Sequence, residues 1–184
     1  IVAEGFEAGG HNGREETTTM CLVPDVAKAI NVPLIAAGGI IDGKSMLAAM
    51  ILGADGVQMG TRFVACKESS AHENFKNMVL KAKEGDTRLT LKEITPVRMM
   101  KNKFFQEVEE LYKTSPSKEQ LLNKLGRGRA KLGMFEGDLE AGELEIGQAS
   151  SQINRVFTAQ EIVQQIMTEF NSIKSQMSIA NKFN

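Results

Sequence analysis

The first sixty residues alternate short apolar runs with polar stretches of helical spacing. "IVAE" (residues 1–4) is apolar until it breaks at Gly5, and it reads as a buried strand. A glycine-rich loop follows. "PDVAKAI" carries Pro24 where the first turn of a helix tolerates proline, with apolar residues at helical spacing. "VPLIAA" reads as a second buried strand ending at Gly38 and Gly39. Asp42 suits the N-cap of a helix through "GKSMLAAMIL", with Gly53 as its stop. "GVQM" is a third short strand, ending at Gly60 and Thr61. Apolar strands separated by helices predict parallel strands covered by helices. Chemistry in such folds gathers at the C-terminal strand ends, where all three glycine clusters fall.

After Phe63 the pattern turns mostly helical. Ser70 and Glu73 form a capping-box pattern before "AHENFKNMVLKAKE", with Gly85 as the stop. "TLKEITPVRMMKNKFFQEVEELY" has apolar residues at helical spacing, and Ser117 with Gln120 make a second box before "LLNKL". Residues 126–147 look like loop. Thr158 and Glu161 cap a last helix, and the polar tail beyond Ser178 is expected to fray.

Composition narrows the classes. The 184 residues suffice for one domain with a real core. Lys and Arg total 22 against 23 Asp and Glu, which gives no electrostatic reason to expect nucleic acid or an anionic membrane. No apolar run is long enough to span a bilayer, and no secretory signal is visible. Cys21 and Cys66 match no metal or redox spacing, so both read as small buried hydrophobes in a reducing cytoplasm, with no metal site.

"AAGGI" and "QMGTRF" lie at the ends of consecutive strands. Glycine lets backbone approach a ligand closely, and successive exposed amides make a nest for an anion. A helix N-terminus adds partial positive charge, and Thr61 adds a hydroxyl. The two loops together therefore read as a phosphate site. "GRGRAKLG" is not a dinucleotide fingerprint: Lys131 stands at the third glycine position and the stretch follows a helix. Arg127, Arg129 and Lys131 then read as a solvated basic loop. His11, after Gly9 and Gly10 at a strand end, suits acid–base work near neutrality but equally a hydrogen-bonding loop role. His72, in a polar first turn, reads as structural.

"EGFEAGGHNG", "IAAGGIIDG" and "ADGVQMGTRF" together resemble the nitronate monooxygenase (2-nitropropane dioxygenase) superfamily of FMN-dependent oxidoreductases. The flavin-carrying type II enoyl-acyl-carrier-protein reductases belong to it. The likeness runs into "TRFVACKESSAHENFK" and more loosely into "EITPVRMMKN" and "GELEIGQASSQI". It implies an α/β fold, the C-terminal part of an FMN-binding TIM barrel, with about strands 6–8 in residues 1–63. Residues 64–153 would be a mostly helical insertion over the barrel mouth, and 154–184 a C-terminal helix and tail. The chain enters its first strand without a methionine, so the N-terminal half of the barrel is expected to be absent and the chain alone inactive.

By the same resemblance, FMN contacts fall on Glu4, Gly9, Gly39, Gln58, Met59, Gly60 and Thr61, with Gly38 sharing the phosphate turn. His11 matches the family's active-site histidine, and Glu145 and Gln148 would line the substrate space. The implied activity is an NADH- or NADPH-dependent enoyl reductase of fatty-acid synthesis, acting on acyl carrier protein. The alternatives are a nitronate monooxygenase using oxygen and a non-catalytic flavin-binding module. Implied partners are the rest of the barrel, the carrier protein or a small nitronate, and a second copy in a homodimer.

Overall fold

The computed structural model describes residues 1–179. Its first half is β1 (Val2–Glu4), β2 (Gly10–His11), α1 (Thr19–Ala29), β3 (Ile35–Ala37), α2 (Gly43–Ile51), β4 (Gly56–Gln58) and α3 (Thr61–Val64). Then come α4 (Glu73–Leu80), β5 (Thr87–Thr90), β6 (Val97–Met100), α5 (Lys103–Tyr112) and α6 (Lys118–Leu125). A π-turn at Lys131–Phe135 and a 3-10 turn at Gln148–Gln152 precede α7 (Ala159–Ile179).

The three expected strands pair in parallel in the order β1-β3-β4, with Ala3 opposite Ala36 and Ala36 opposite Val57. Alanine at the centre of each pairing lets helices sit close. Val23 of α1 and Ala49 of α2 pack there with Leu34, Ile40 and Ala54. Asp42 caps α2, and its carboxylate accepts from the Ser45 amide at 2.8 Å. From α7, Glu169 accepts from the Gly43 amide at 2.8 Å, so α2 and α7 are tied end to side.

Helix α1 begins at Thr19, earlier than the sequence suggests, and Pro24 lies inside it. The reason is a long-range cap. The Glu7 carboxylate accepts from both the Thr19 amide and its hydroxyl at 3.0 Å. Helix α4 likewise starts after His72, not at Ser70: Nδ1 of His72 accepts from the Asn74 amide at 3.1 Å. His72 is thus a structural cap. The boxes at Ser117 with Gln120 and at Thr158 with Glu161 form as expected.

The larger departure lies in "TLKEITPVRMM". The predicted helix there is instead the last residue of β5, a turn and then β6; β5 and β6 are antiparallel and join β2 in a second sheet of order β2-β6-β5. Pro96 offers no amide and pushes the preceding residue to extended backbone. All four residues of β6 are buried, so the strand carries neither helical nor alternating period. Helix α5 follows, capped by Asn102, whose side chain accepts from the Phe105 amide at 3.0 Å. The helices bury Phe104, Phe105, Val108 and Leu121 against Val97 and Met99. Arg129 is not simply solvated: it stacks 4.5 Å from the Phe104 ring and donates to the Leu125 and Ala141 carbonyls. Cys66 is buried as expected, whereas Cys21 is exposed on the solvent side of α1. The frayed-tail expectation falls on residues 180–184, outside the described residues; Ile179 still belongs to α7.

Arg98 joins the two sheets. It is 1% exposed. Its Nε and Nη2 both donate to the Phe6 carbonyl, at 3.1 and 2.9 Å, and its guanidinium stacks 4.4 Å from the Phe6 ring. Arg98→Met keeps the length but leaves that carbonyl without its donors. We expect a loss of about 1–3 kcal/mol, read as a lower urea midpoint with unchanged slope.

Candidate functional site

A cavity of about 310 Å³ opens at the C-terminal ends of β1, β3 and β4. Glu4 comes from β1, and Gly38 and Gly39 from the turn after β3. Gln58, Gly60 and Thr61 come from β4 and the turn behind it. The roof is the segment carrying Glu145, Ile146 and Ala149, with Met134 from the π-turn. The parallel register brings the strand ends level, because Glu4, Ala37 and Gln58 align across the sheet.

Of the residues singled out in the sequence, Glu4, Gly9, Gly38, Gly39, Gln58, Gly60, Thr61 and Glu145 all line this cavity. Three do not. Met59 is half-buried: it packs against the clusters around Ala36 and Ile162 and does not line the cavity. Gln148 lines an adjoining cleft of about 630 Å³ that shares Glu7, Gly38 and Gly39. His11 is exposed, on β2, and lines neither opening. Its strand is anchored by Val97 pairing, and the following residue, Asn12, donates its side-chain amide to the Ala8 and Gly10 carbonyls.

The glycines do different jobs. At Gly9 a side chain has no room, because a Cβ would overlap the backbone of Ile146 and Gly147. The protein itself, and not a ligand, fills that space. At Gly60 a Cβ would meet nothing within 4 Å, so this face opens on the cavity. Gly38 and Gly39 have φ of 94° and 71°, a left-handed turn that side chains resist. The Gly5 backbone packs on Gly38 and the Glu7 side chain on Gly39, while the Thr61 hydroxyl accepts from the Gly147 amide at 3.0 Å.

Helix N-termini contribute less than the sequence implied. Glu7 already occupies that of α1, and Asp42 with Glu169 that of α2. An anion here would rest on the glycine turns. Among the described residues no His, Cys, Asp and Glu cluster is arranged to hold a metal.

Sequence reasoning missed Glu7 and Glu143. Glu7 shapes both openings through its hold on α1, and a loop glutamate carries no signal of a cap twelve residues away. Glu143 lies behind Glu145. Burial, and then the neighbouring Glu145 charge, push its carboxyl up to about 7, against a downward pull from Arg129. Burial also raises the carboxyls of Glu4 and Glu145, with His11 pulling Glu145 back down.

Two outcomes follow. Gly9→Ala should destabilise by about 1–3 kcal/mol through overpacking, while Gly60→Ala should leave the thermal midpoint near that of the parent. Glu143 has a folded pKa above its unfolded value, so its share of stability is full below about 4.5 and lost as pH rises through about 7. Glu143→Gln should therefore gain stability relative to the parent between pH 5 and pH 8, measured by urea unfolding at both.

The strands, covering helices and glycine-lined cavity define an α/β protein with a cavity at its parallel strand ends. The nitronate monooxygenase family model matches residues 1–169, and the chain belongs to that family. A probable nitronate monooxygenase of Staphylococcus saprophyticus is 34% identical over 190 residues, covering 96% of this chain and 52% of the relative. The chain thus spans about half the length of the curated relatives it matches. Among solved structures, FabK from Thermotoga maritima superposes with a TM-score of 0.90 at 39% identity, over 97% of this chain and 56% of that one. A nitroalkane oxidase from Streptomyces ansochromogenes gives 0.79 at 28% identity, over 96% and 53%.

Proposed function

We propose that the full-length protein is an FMN-dependent oxidoreductase, and that it reduces enoyl thioesters carried on acyl carrier protein. The observation that carries the flavin reading is the cavity at level strand ends, with the left-handed glycine turn at Gly38 and Gly39 and open space over Gly60. The amides of that turn and Thr61 would hold the cofactor's phosphate, while Glu4 and Gln58 would meet its polar ring edge. When bound, FMN supplies two-electron chemistry, taking hydride from NADH or NADPH and giving it to the enoyl β-carbon.

The chain's own residues would do the rest. Gly60 leaves the room and Ile146 with Ala149 exclude water from above. His11, held by its pairing with Val97 two residues beyond Gly9 of the cavity wall, would orient the thioester carbonyl or deliver a proton to the α-carbon. The choice of reductase rests on the likeness to FabK. A second reading is nitronate oxidation with oxygen, favoured by the names of the curated relatives and by the nitroalkane oxidase likeness.

The outer edges of β1 and β4 pair with no strand among the described residues. We propose that further barrel strands of the full-length protein lie there, and that a second copy in a homodimer is compatible with the fold. No described helix is long and apolar enough to cross a membrane. We propose that the activity is cytoplasmic.

The test is anaerobic. Bleaching of the flavin absorbance by NADH or NADPH, with recovery on adding a crotonyl thioester, is the expected result. Bleaching by a nitronate without nicotinamide would replace it with the second reading, and no bleaching by either would overturn both. Gly60→Val should lower FMN affinity without lowering the thermal midpoint. His11→Ala should keep FMN bound and slow turnover about 10²-fold; unchanged turnover removes His11 from the chemistry.

A further inference from the structure

The roof of the cavity is tied to the start of α4. Met134, which lines the cavity, stands on the π-turn Lys131–Phe135. That turn rests on the roof segment: a Cβ on Gly133 would come 2.6 Å from the Leu144 side chain and 2.9 Å from the Glu143 carbonyl. The same turn is gripped by His72 and Asn74. The His72 amide donates to the Met134 carbonyl at 2.8 Å. The Asn74 side-chain amide donates to the Gly137 carbonyl at 3.1 Å. Gly137 has a φ of 82°, and the His72 ring fills the space where its side chain would stand.

These contacts converge on one atom. Nδ1 of His72 accepts from the Asn74 amide at 3.1 Å, which caps α4 and fixes the residue that holds Gly137. A neutral imidazole offers one acceptor nitrogen, whereas a protonated one only donates. The charged ring would also face the partial positive charge of the helix N-terminus. Imidazole is the side chain that makes this change near neutral pH, and His72 is half-buried, so protons reach it. The charged groups around it are engaged elsewhere. Glu73 and Lys76 of α4 pair at 3.0 Å, and Lys131 and Glu136 pair across the π-turn at 3.1 Å. Asp138 accepts from the Glu140 and Ala141 amides at 3.0 and 2.8 Å. Glu68, ahead of the cap, accepts from the Ala159 amide at 2.8 Å. Among the described residues none forms an ion pair with the His72 ring.

We propose that His72 is a pH-sensitive latch on the cavity roof: neutral, it clamps the π-turn that carries Met134, and protonated, it releases the turn. The latch acts within the protein and is independent of the reaction that the cavity serves. Glu143, under the turn, loses its charge over the same range, which favours the folded roof at low pH and so works against the release.

The experiment is hydrogen exchange on the full-length protein at about pH 7.5 and about pH 5.5, either side of the imidazole range. It is read as protection factors, which removes the intrinsic pH dependence of exchange. In the parent, protection of residues 131–137 should fall about five-fold at the lower pH, the worth of one helix cap. Protection of the roof residues 143–147 should fall with it. His72→Asn keeps a capping acceptor that does not titrate, so its protection should match the neutral parent at both pH values. His72→Ala should show the loss already at the higher pH. A parent without the fall, or a His72→Asn variant that falls as far, overturns the latch. A fall confined to the first turn of α4 overturns it too, because the ring then caps its own helix and holds nothing else. Helix α1 is the internal reference, and an equal fall there marks general unfolding and also overturns the proposal.

Discussion

The structure depends on one crossing. Between Glu4 and His11 the chain must leave the edge of a parallel sheet and become the edge of an antiparallel one. Three anchors fix that path. Arg98 holds the Phe6 carbonyl and stacks on the Phe6 ring. Glu7 spends its carboxylate on the start of α1, while its carbonyl accepts from the Gln148 amide at 2.9 Å. Gly9 lies so close to Ile146 and Gly147 that no side chain fits. Each anchor belongs to a different part of the chain: Arg98 to β6, Thr19 to α1, and Ile146 with Gly147 to the roof. The cavity is what remains between this loop, the strand ends and the roof.

The same crossing redistributes charge. Glu7, Asp42 and Glu169 take up the helix N-termini that border the strand ends. The partial positive charge of those helices is thereby offset by the protein itself. What is left for a ligand is the short-range geometry of the glycine turns and the Thr61 hydroxyl. Such a site recognises by shape and backbone amides, and it depends little on long-range attraction.

Much of this was legible in the sequence, and the exceptions have physical causes. The three parallel strands, α2 with its Asp42 cap, and two of the capping boxes announce themselves through local patterns. So did most of the cavity wall, because glycine pairs at strand ends are local too. The second sheet did not, since β6 is buried on both faces and its partner β2 is only Gly10 and His11. Pro96 was the available warning. The Glu7 cap of α1 was equally hidden, as nothing near Pro24 reveals a carboxylate arriving from another loop. Met59 shows the converse: it sits within a recognisable motif, yet it packs against the core clusters and does not line the cavity.

The cavity wall also bears on what can occupy it. Its charged lining residues are Glu4, Glu7 and Glu145, with no lysine or arginine among them. Burial raises the carboxyls of Glu4 and Glu145, which softens their repulsion of an anion without reversing it. The Glu7 side chain packs against Gly39, and the Thr61 hydroxyl is bonded to Gly147, two residues along from Glu145, so the glycine turn and the hydroxyl each have a glutamate close by. An anionic occupant of either kind, a cofactor phosphate or a nitronate, would have to be met there by backbone amides and the Thr61 hydroxyl against that background. The charge of the wall thus does not separate the two readings of the activity, and the likeness to FabK is what ranks the reductase first.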